Sequence, residues 1–130
     1  MTNRHITMKN PSQHIIITGA TGGIGAACTK LFRSHDHVVS TWDIPEVDVT
    51  DIHQVTEQFR QDVDKHGPVA ALVHCAGVME PDSATNPQNT RNMTINYGGV
   101  VNVCSVVAKH MQEQRVGAIV VVSSNAATTP

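Results

Sequence analysis

The chain has 130 residues, of which 40% are hydrophobic and 15% charged, and this composition indicates one globular domain rather than a disordered polypeptide. The formal net charge is −2 and no segment concentrates the basic residues, which argues against nucleic acid or an anionic membrane as the main partner. Because the apolar runs are too short to cross a membrane and no signal-like core follows the N-terminus, we expect a soluble, cytoplasmic protein.

The first predicted elements surround a glycine-rich turn. Residues 1–12 are polar and aperiodic and predict a flexible arm, and residues 13–130 are predicted to form a single domain. The β-branched run within His14–Thr18 predicts a buried parallel strand. A helix is expected to begin in the turn at residues 18–25. Its predicted apolar stripe consists of Ile24, Ala27, Cys28, Leu31 and Phe32.

The next stretch predicts a strand at residues 37–43 and a helix capped by Asp51 that ends at Gly67. Between them, residues 46–49 are a candidate third strand, although the connection from Asp43 is too short for a crossover helix. This segment is therefore open to either interpretation, strand or loop.

The remaining pattern continues the alternation of strands and helices. It predicts a strand at Val69–His74, a long loop over residues 78–92, a helix over about 91–114 and a last strand over 118–123. Alternating elements of this kind predict an α/β fold with a doubly wound parallel sheet, in which ligands bind at the carboxyl ends of the strands.

The glycine turn has the context of a dinucleotide site, since it follows a strand, precedes a helix and is matched by an acid after the next strand. Gly19 would form the turn, Gly23 and Ile24 would offer backbone amides to a pyrophosphate, and Gly25 would let the helix pack closely. Asp43 would accept hydrogen bonds from the adenosine ribose and so favour NAD over NADP; the alternative is a solvated carboxylate. The cofactor-binding residues predicted in the turn are Gly19, Thr21, Gly22, Gly23, Ile24 and Gly25.

Neither a disulfide framework nor a metal site is indicated. Cys28, Cys75 and Cys104 are odd in number and far apart, which predicts free thiols. The sequence His-Asp-His at residues 35–37 is the metal candidate, but no third ligand lies near it in sequence, so we expect no bound metal.

The spacing Thr-Gly-x-x-x-Gly-x-Gly at residues 18–25 resembles the short-chain dehydrogenase/reductase family, whose fold is the Rossmann fold. Further similar segments follow in the family's order, and together they extend the resemblance from about His14 to Pro130. These segments are residues 48–51, 75–77, 96–99 and 117–124.

The resemblance implies an oxidoreductase that transfers a hydride between NAD and an alcohol or carbonyl substrate. It assigns the adenine contacts to Asp48 and Val49, and the nicotinamide ribose side to Cys75, Ala76 and Gly77. It also implies a homo-oligomer for the full-length form, with a dinucleotide and a small molecule as ligands.

Two catalytic residues follow from the same resemblance. Ser124 would bind the substrate oxygen, with Ser123 as the competing serine, and Asn96 would hold a water molecule of a proton relay. Within the family, residues 123–130 and the short connection over residues 43–48 most resemble 2,3-dihydro-2,3-dihydroxybenzoate dehydrogenases.

The sequence also departs from the family pattern. His74 and Cys75 stand where the family has asparagines, and no Tyr-x-x-x-Lys pair occurs by Pro130, since Tyr97 is followed four positions later by Val101. We therefore expect the cofactor-binding half of such an enzyme, with a sheet incomplete on its C-terminal side and the last strand as an open edge. The alternative is a non-catalytic nucleotide-binding or partner-binding product of a truncated gene.

Overall fold

The computed structural model describes residues 10–81, 85 and 89–124. Within these residues, four strands and the helices between them alternate along the chain, which confirms the predicted α/β class. The elements are β1 (His14–Thr18), α1 (Gly23–Ser34), β2 (Val38–Trp42), α2 (Ile52–His66), β3 (Val69–His74), α3 (Asn89–Met93), a π-helical turn (Thr94–Gly98), α4 (Gly99–Gln114) and β4 (Ala118–Val121).

The four strands form one parallel sheet in the order β2-β1-β3-β4, which confirms the doubly wound topology. The chain runs outward from β1 to β2 and then crosses back to β3 on the other side of β1. A crevice for ligands is expected where the two directions diverge, beyond the carboxyl ends of β1 and its neighbours.

The larger core lies on the sheet face covered by α2 and α4. Ile16 of β1 and Leu72 of β3 are fully buried there against Val55 of α2 and Val103 of α4. A smaller cluster lies on the opposite face, where Ile17 and its neighbours pack against α1. Both faces of the central strands are covered, as parallel sheets require.

The predicted apolar stripe of α1 was wrong in three of its five members. Ile24 and Leu31 are each 57% exposed, and Ala27 is exposed as well. The helix instead turns Gly25 and Thr29 toward the sheet, because it approaches the glycine turn so closely that only a residue without a side chain fits there. Cys28 and Phe32, the other two members, do pack on the sheet.

Residues 46–49 form no strand, which settles the interpretation that the sequence left open. The amide of Val47 donates to the carbonyl of Asp43 at 2.9 Å, so the chain turns immediately after β2. The cap at Asp51 is confirmed: its carboxylate accepts from the amides of His53 and Gln54, and Gly67, with φ +84°, follows the last residue of α2.

The predicted helix over residues 91–114 is interrupted by the π-helical turn, and β4 ends at Val121, although the amide of Val122 still donates to the carbonyl of His74. β4 lies at the edge of the described sheet and its residues are exposed. No helix in the described residues is long and apolar enough to cross a membrane.

Parts of the expected organisation lie outside the described residues. These parts are residues 1–9 of the arm, residues 82–84 and 86–88 of the long loop, and residues 125–130. Ser12, at the end of the arm, donates to the carbonyl of Asp36 at 2.7 Å. The boundary at residue 13 stays a prediction.

Candidate functional site

A cavity of about 520 Å³ opens at the carboxyl ends of β1, β2 and β3, within the size range of small-molecule sites. Each strand contributes the residues that immediately follow it, so chain segments far apart in sequence meet at one place. The lining residues are Gly19, Thr21, Gly22, Trp42, Asp43, Ile44, Val47, Asp48, Val49, Thr50, Cys75, Ala76, Gly77, Val78, Arg91, Thr94 and Ile95.

The glycine turn is shaped by close backbone approaches. Gly19 has φ +63°, donates its amide to the carbonyl of Trp42 at 2.9 Å, and passes so near β3 that a Cβ would lie 2.7 Å from the Ala76 nitrogen. At Gly25 a Cβ would lie 2.1 Å from the Gly19 carbonyl oxygen. Both positions therefore require glycine, one for conformation and contact and the other for contact alone.

Asp43 faces the cavity but also anchors the glycine turn. Its Oδ2 accepts from the amide of Thr21 at 2.9 Å and from the Thr21 hydroxyl, and its Oδ1 accepts from the amide of Ile44 at 3.0 Å. Burial raises the pKa of this carboxyl, but the bonds from Thr21 and then Ile44 outweigh burial and lower the pKa below its ordinary value. Asp43 is therefore ionised at neutral pH.

Trp42 forms part of the cavity lining from a fully buried position at the end of β2. Its indole N–H donates to Oδ2 of Asp62 at 2.7 Å, and Oδ1 of the same carboxylate accepts from the Gln58 amide at 3.1 Å. This buried contact with α2 fixes the ring that precedes Asp43, because a buried indole N–H needs an acceptor.

Asp48 and Val49 line the cavity beside this region. Oδ1 of Asp48 accepts from the amide and hydroxyl of Thr50 at 2.9 and 2.7 Å, which forms a tight local turn. Val49 is buried against α4, where a Cβ on Gly99 would lie 2.7 Å from Cγ2 of Val49, and its carbonyl accepts from Asn102 at 3.0 Å.

The third side of the cavity begins at Thr18, whose hydroxyl joins β1 to the end of β3. Its Oγ1 accepts from the amides of Cys75 and Ala76, each at 3.2 Å, and lies 2.9 Å from Nδ1 of His74. With its oxygen accepting two N–H groups, the hydroxyl donates its own hydrogen to Nδ1. The His74 ring thus accepts a hydrogen bond from Thr18.

The His74 ring is 1% exposed, and its Nε2 has no hydrogen-bond partner among the described residues. Burial lowers the pKa of His74 more than contact with the Ala76 backbone raises it, so the ring is neutral at neutral pH. Burial also raises the pKa of the Cys75 thiol, and the neighbouring Cys28 thiol raises it further. Cys75 is therefore a neutral thiol; all three cysteines, including Cys104, are free and half-buried.

Asn96 lies in the π-helical turn and contacts the chain after β3. Its side-chain oxygen accepts from the amide of Val78 and its nitrogen donates to the carbonyl of Val78, both at 2.7 Å. A Cβ on Gly77 would lie 3.2 Å from the same Asn96 oxygen. π-Helical turns are frequent at functional sites because they redirect a side chain without ending the helix.

Most of the predicted cofactor residues meet in this cavity. Nine of them are in its lining: Gly19, Thr21, Gly22, Asp43, Asp48, Val49, Cys75, Ala76 and Gly77. Gly23, Ile24 and Gly25 are not; they form the start of α1, where the first helical bond runs from Ala26 to Gly22 and the preceding amides have no acceptor within the helix. Their assignment to a pyrophosphate stays a prediction.

The two predicted catalytic residues do not line the cavity. Asn96 reaches it through Val78, whereas Ser124 is exposed beyond the end of β4. Ser123, the competing serine, is exposed too, as is Tyr97. The roles of Ser124 and Asn96 therefore stay predictions.

The sequence interpretation missed lining residues on the helical segment before Asn96. Arg91, Thr94 and Ile95 line the cavity at the spacing i, i+3 and i+4, which places them on one helix face. The helix predicted over residues 91–114 already contains these positions, but the sequence alone does not show that this face of the helix turns toward the ends of the strands. Trp42 was missed because a strand-end aromatic residue is usually taken for core.

Within the described residues, no three His, Cys, Asp or Glu side chains are grouped to hold a metal ion. In the His-Asp-His sequence, Nδ1 of His35 lies 2.9 Å from the carbonyl of Leu31, and Nδ1 of His37 accepts from the amide of Gln13. Both rings thus make local hydrogen bonds.

The cavity fits a dinucleotide. A Cβ on Gly23 would meet nothing within 4 Å, so the backbone at the start of α1 is accessible to a ligand, and an ionised Asp43 lies beside the glycine turn. Asp43 has three of about four acceptor positions occupied, which leaves one on Oδ1 for a ligand hydroxyl.

The comparisons with known proteins agree with this arrangement. A family model described as short chain dehydrogenase matches residues 39–130. The 3-ketodihydrosphingosine reductase of Bacteroides thetaiotaomicron is 30% identical over 86% of this chain and 47% of that protein. The 2,3-dihydro-2,3-dihydroxybenzoate dehydrogenase of Bacillus subtilis is also 30% identical, over 88% of this chain and 53% of that protein.

Among solved structures, ElxO with NADP bound has a TM-score of 0.79 and 26% sequence identity, and the match covers 92% of this chain and 58% of ElxO. The chain thus spans about half the length of the curated relatives it matches. The relatives carry different substrate names, so the dihydroxybenzoate type is not singled out among them.

Proposed function

Because this chain belongs to the short-chain dehydrogenase/reductase family, we propose that residues 13–130 form a domain that binds NAD in the cavity beside the glycine turn. The reaction proposed for the whole protein is hydride transfer between NAD and an alcohol or carbonyl substrate. Bound NAD would supply the hydride acceptor or donor, and the chain's own residues bind and orient it.

The observation that carries the preference for NAD is the charge at Asp43. An ionised carboxylate beside the glycine turn accepts a ribose hydroxyl but repels a 2′-phosphate. Arg91 is the one Lys, Arg or His among the described lining residues, and its Nε already lies 2.7 Å from Oε1 of Glu80. ElxO, which has a similar fold, was solved with NADP bound, so the preference of this chain for NAD needs a direct test.

The adenine half of the ligand is assigned to Asp48 and Val49, and the nicotinamide ribose to Cys75, Ala76 and Gly77. The place of Val49 in the cavity lining and the tight turn that Asp48 forms with Thr50 support the first assignment. Close passage of the Gly19 backbone against Ala76 supports the second, since the two segments together form one continuous surface.

Thermal denaturation with NAD or NADP tests the cofactor preference. We expect NAD to raise the melting temperature more than NADP, and Asp43→Asn to narrow the difference by removing the charge. Thr21→Val is the matched control, because it weakens the anchor at Asp43 but keeps the carboxylate and therefore the preference. Equal shifts with both cofactors in the wild type would contradict the role of Asp43.

For catalysis, we propose that Ser124 binds the substrate oxygen and that Asn96 supports a proton relay through water. The substrate to try first is a cyclic dihydrodiol, after the Bacillus subtilis relative, and then a 3-keto lipid, after the Bacteroides relative. Reading the coding sequence beyond Pro130 for Tyr-x-x-x-Lys decides whether this polypeptide carries an acid/base group. A stop codon there would favour the non-catalytic nucleotide-binding alternative.

A further inference from the structure

Two segments of the chain face each other across one side of the cavity. Gly77 and Val78, which follow β3, line it on one side, and Arg91, Thr94 and Ile95 line it on the helical side. The distance between these two segments sets how wide the cavity is at this point.

Asparagine side chains join the segments at two places. Asn96 bonds both the amide and the carbonyl of Val78, each at 2.7 Å. Asn92 does the same to Glu80, accepting from its amide at 3.2 Å and donating to its carbonyl at 3.0 Å. In both contacts the side-chain amide takes the place of a peptide group of a neighbouring strand.

The spacing of the two contacts matches on both sides. Four residues of a helix rise about 6 Å, and two residues of an extended chain advance about 6.6 Å, so Asn92 and Asn96 can reach alternate residues of the same segment. Met79, between the two bonded residues, is 91% exposed, as an alternating extended chain requires. An ion pair from Nε of Arg91 to Oε1 of Glu80, at 2.7 Å, adds a third tie.

We propose that Asn92 is a positioning residue that forms, together with Asn96, a two-point amide clamp that holds residues 78–80 against the helix and fixes the width of the cavity. Asn92 does not line the cavity itself, so it acts through Glu80, two residues after the lining residue Val78, and through the helix that carries Thr94 and Ile95. Its effect on NAD binding rests on the proposed function, whereas its effect on the Glu80 backbone does not.

The experiment compares wild type, Asn92→Leu and Asn92→Asp, with Ser105→Ala as the matched control. Ser105 is an exposed α4 residue whose hydroxyl bonds the carbonyl of Asn102 within the helix, so its loss removes a similar bond away from the cavity. Amide hydrogen exchange by NMR reports the clamp, titration with NAD reports the cavity, and the urea midpoint reports global stability.

We expect Asn92→Leu to speed exchange at the Glu80 amide about five- to tenfold, while amides of β1 and β3 are unchanged. The dissociation constant for NAD should rise by a similar factor. The urea midpoint should change too little for a loss of folded protein to explain that rise. Asn92→Asp keeps the acceptor for the Glu80 amide and should lie between wild type and Asn92→Leu; it also serves if Asn92→Leu does not fold.

An unchanged exchange rate at the Glu80 amide in both variants overturns the clamp. If the wild type binds NAD and both variants bind it with the same affinity, the clamp is overturned as well. If the wild type does not bind NAD at all, the proposed function fails, and the exchange rates alone still decide whether Asn92 holds the segment. Ser105→Ala matching the effect of Asn92→Leu would likewise overturn the assignment.

Discussion

The glycine turn (residues 18–25) and the clamped segment (residues 78–80) form neighbouring parts of one cavity by different means. At the glycine turn, backbone approaches backbone within the space of a single methyl group, so Gly19 and Gly25 have no substitute. At the clamped segment, side-chain amides of Asn92 and Asn96 hold the backbone through hydrogen bonds to Glu80 and Val78. Steric exclusion shapes the first part, and hydrogen bonding shapes the second.

The largest effect is expected where steric exclusion is strongest. In Gly25→Ala the new Cβ would lie 2.1 Å from the Gly19 oxygen, so the turn or α1 must shift, at a cost of about 3–5 kcal/mol in the free energy of unfolding. Urea denaturation measures this loss.

Gly23→Ala is the matched control two residues away, since a Cβ there meets nothing within 4 Å. Its stability should lie within about 1 kcal/mol of the wild type, on the stabilising side, because alanine loses less entropy in a helix than glycine. Equal midpoints for Gly25→Ala and Gly23→Ala would show that close approach does not define the turn.

Thr18 joins the glycine turn to the end of β3, and its hydroxyl is expected to have the next largest effect. Thr18→Val leaves the amide of Ala76 and Nδ1 of His74 without their hydroxyl partner, whereas the amide of Cys75 keeps its bond to the Thr18 carbonyl, and the loss should cost about 2 kcal/mol. Thr18→Ser keeps the oxygen and should recover most of that stability. A Thr18→Val protein as stable as Thr18→Ser would mean that the hydroxyl does not join β1 to β3.

The different construction of the two parts explains what the sequence could predict. Where one backbone passes so close to another that a Cβ would clash, the residue must be glycine, so the turn at residues 18–25 has a glycine spacing that can be recognised in the sequence. Asp43, after the next strand, supports the same interpretation. Short apolar runs likewise locate β1 and β3, which are covered on both faces, and helical periodicity locates α2.

The clamped segment leaves no such spacing, because asparagine is common in loops and its partner is any backbone group. The stripe on α1 failed for a related reason: the close approach at Gly25 turned a face of small residues toward the sheet and exposed Ile24 and Leu31. Local hydrophobicity could not foresee this, since the position of the helix is set by tertiary contact with the turn.

Acidification should weaken the glycine turn through Asp43 by a smaller amount. Bonds from Thr21 and Ile44 lower its pKa in the folded state, so this stabilisation is fully present above the unfolded pKa of about 3.9 and is lost as pH falls through the folded value. Between pH 6 and pH 3 the free energy of unfolding, measured by urea denaturation, should therefore fall more in the wild type than in Thr21→Val. The difference should be about 0.5 kcal/mol after solvent screening.

The comparison of the two midpoints isolates the Thr21 contact from the other carboxylates, which titrate alike in both proteins. An equal loss of stability in wild type and Thr21→Val would show that the anchor between the turn and β2 does not depend on the charge of Asp43.

The smallest effect is expected at a surface network remote from both parts of the cavity. On α2, Arg60 bonds Glu57 at 2.7 Å and Asp64 at 2.8 Å, and hydrogen bonds from Arg60 and then Gln61 lower the pKa of Glu57 to about 2. Arg60→Ala should raise the pKa of Glu57 toward its ordinary value, measurable by carbon NMR of the carboxyl group.

Because all three side chains are more than half exposed, solvent screens the pairs, and neither the urea midpoint at pH 7 nor NAD affinity should change measurably. A loss of NAD affinity in Arg60→Ala would mean that the cavity responds to α2 as well as to its own lining, and the contrast between turn and clamp would then be incomplete.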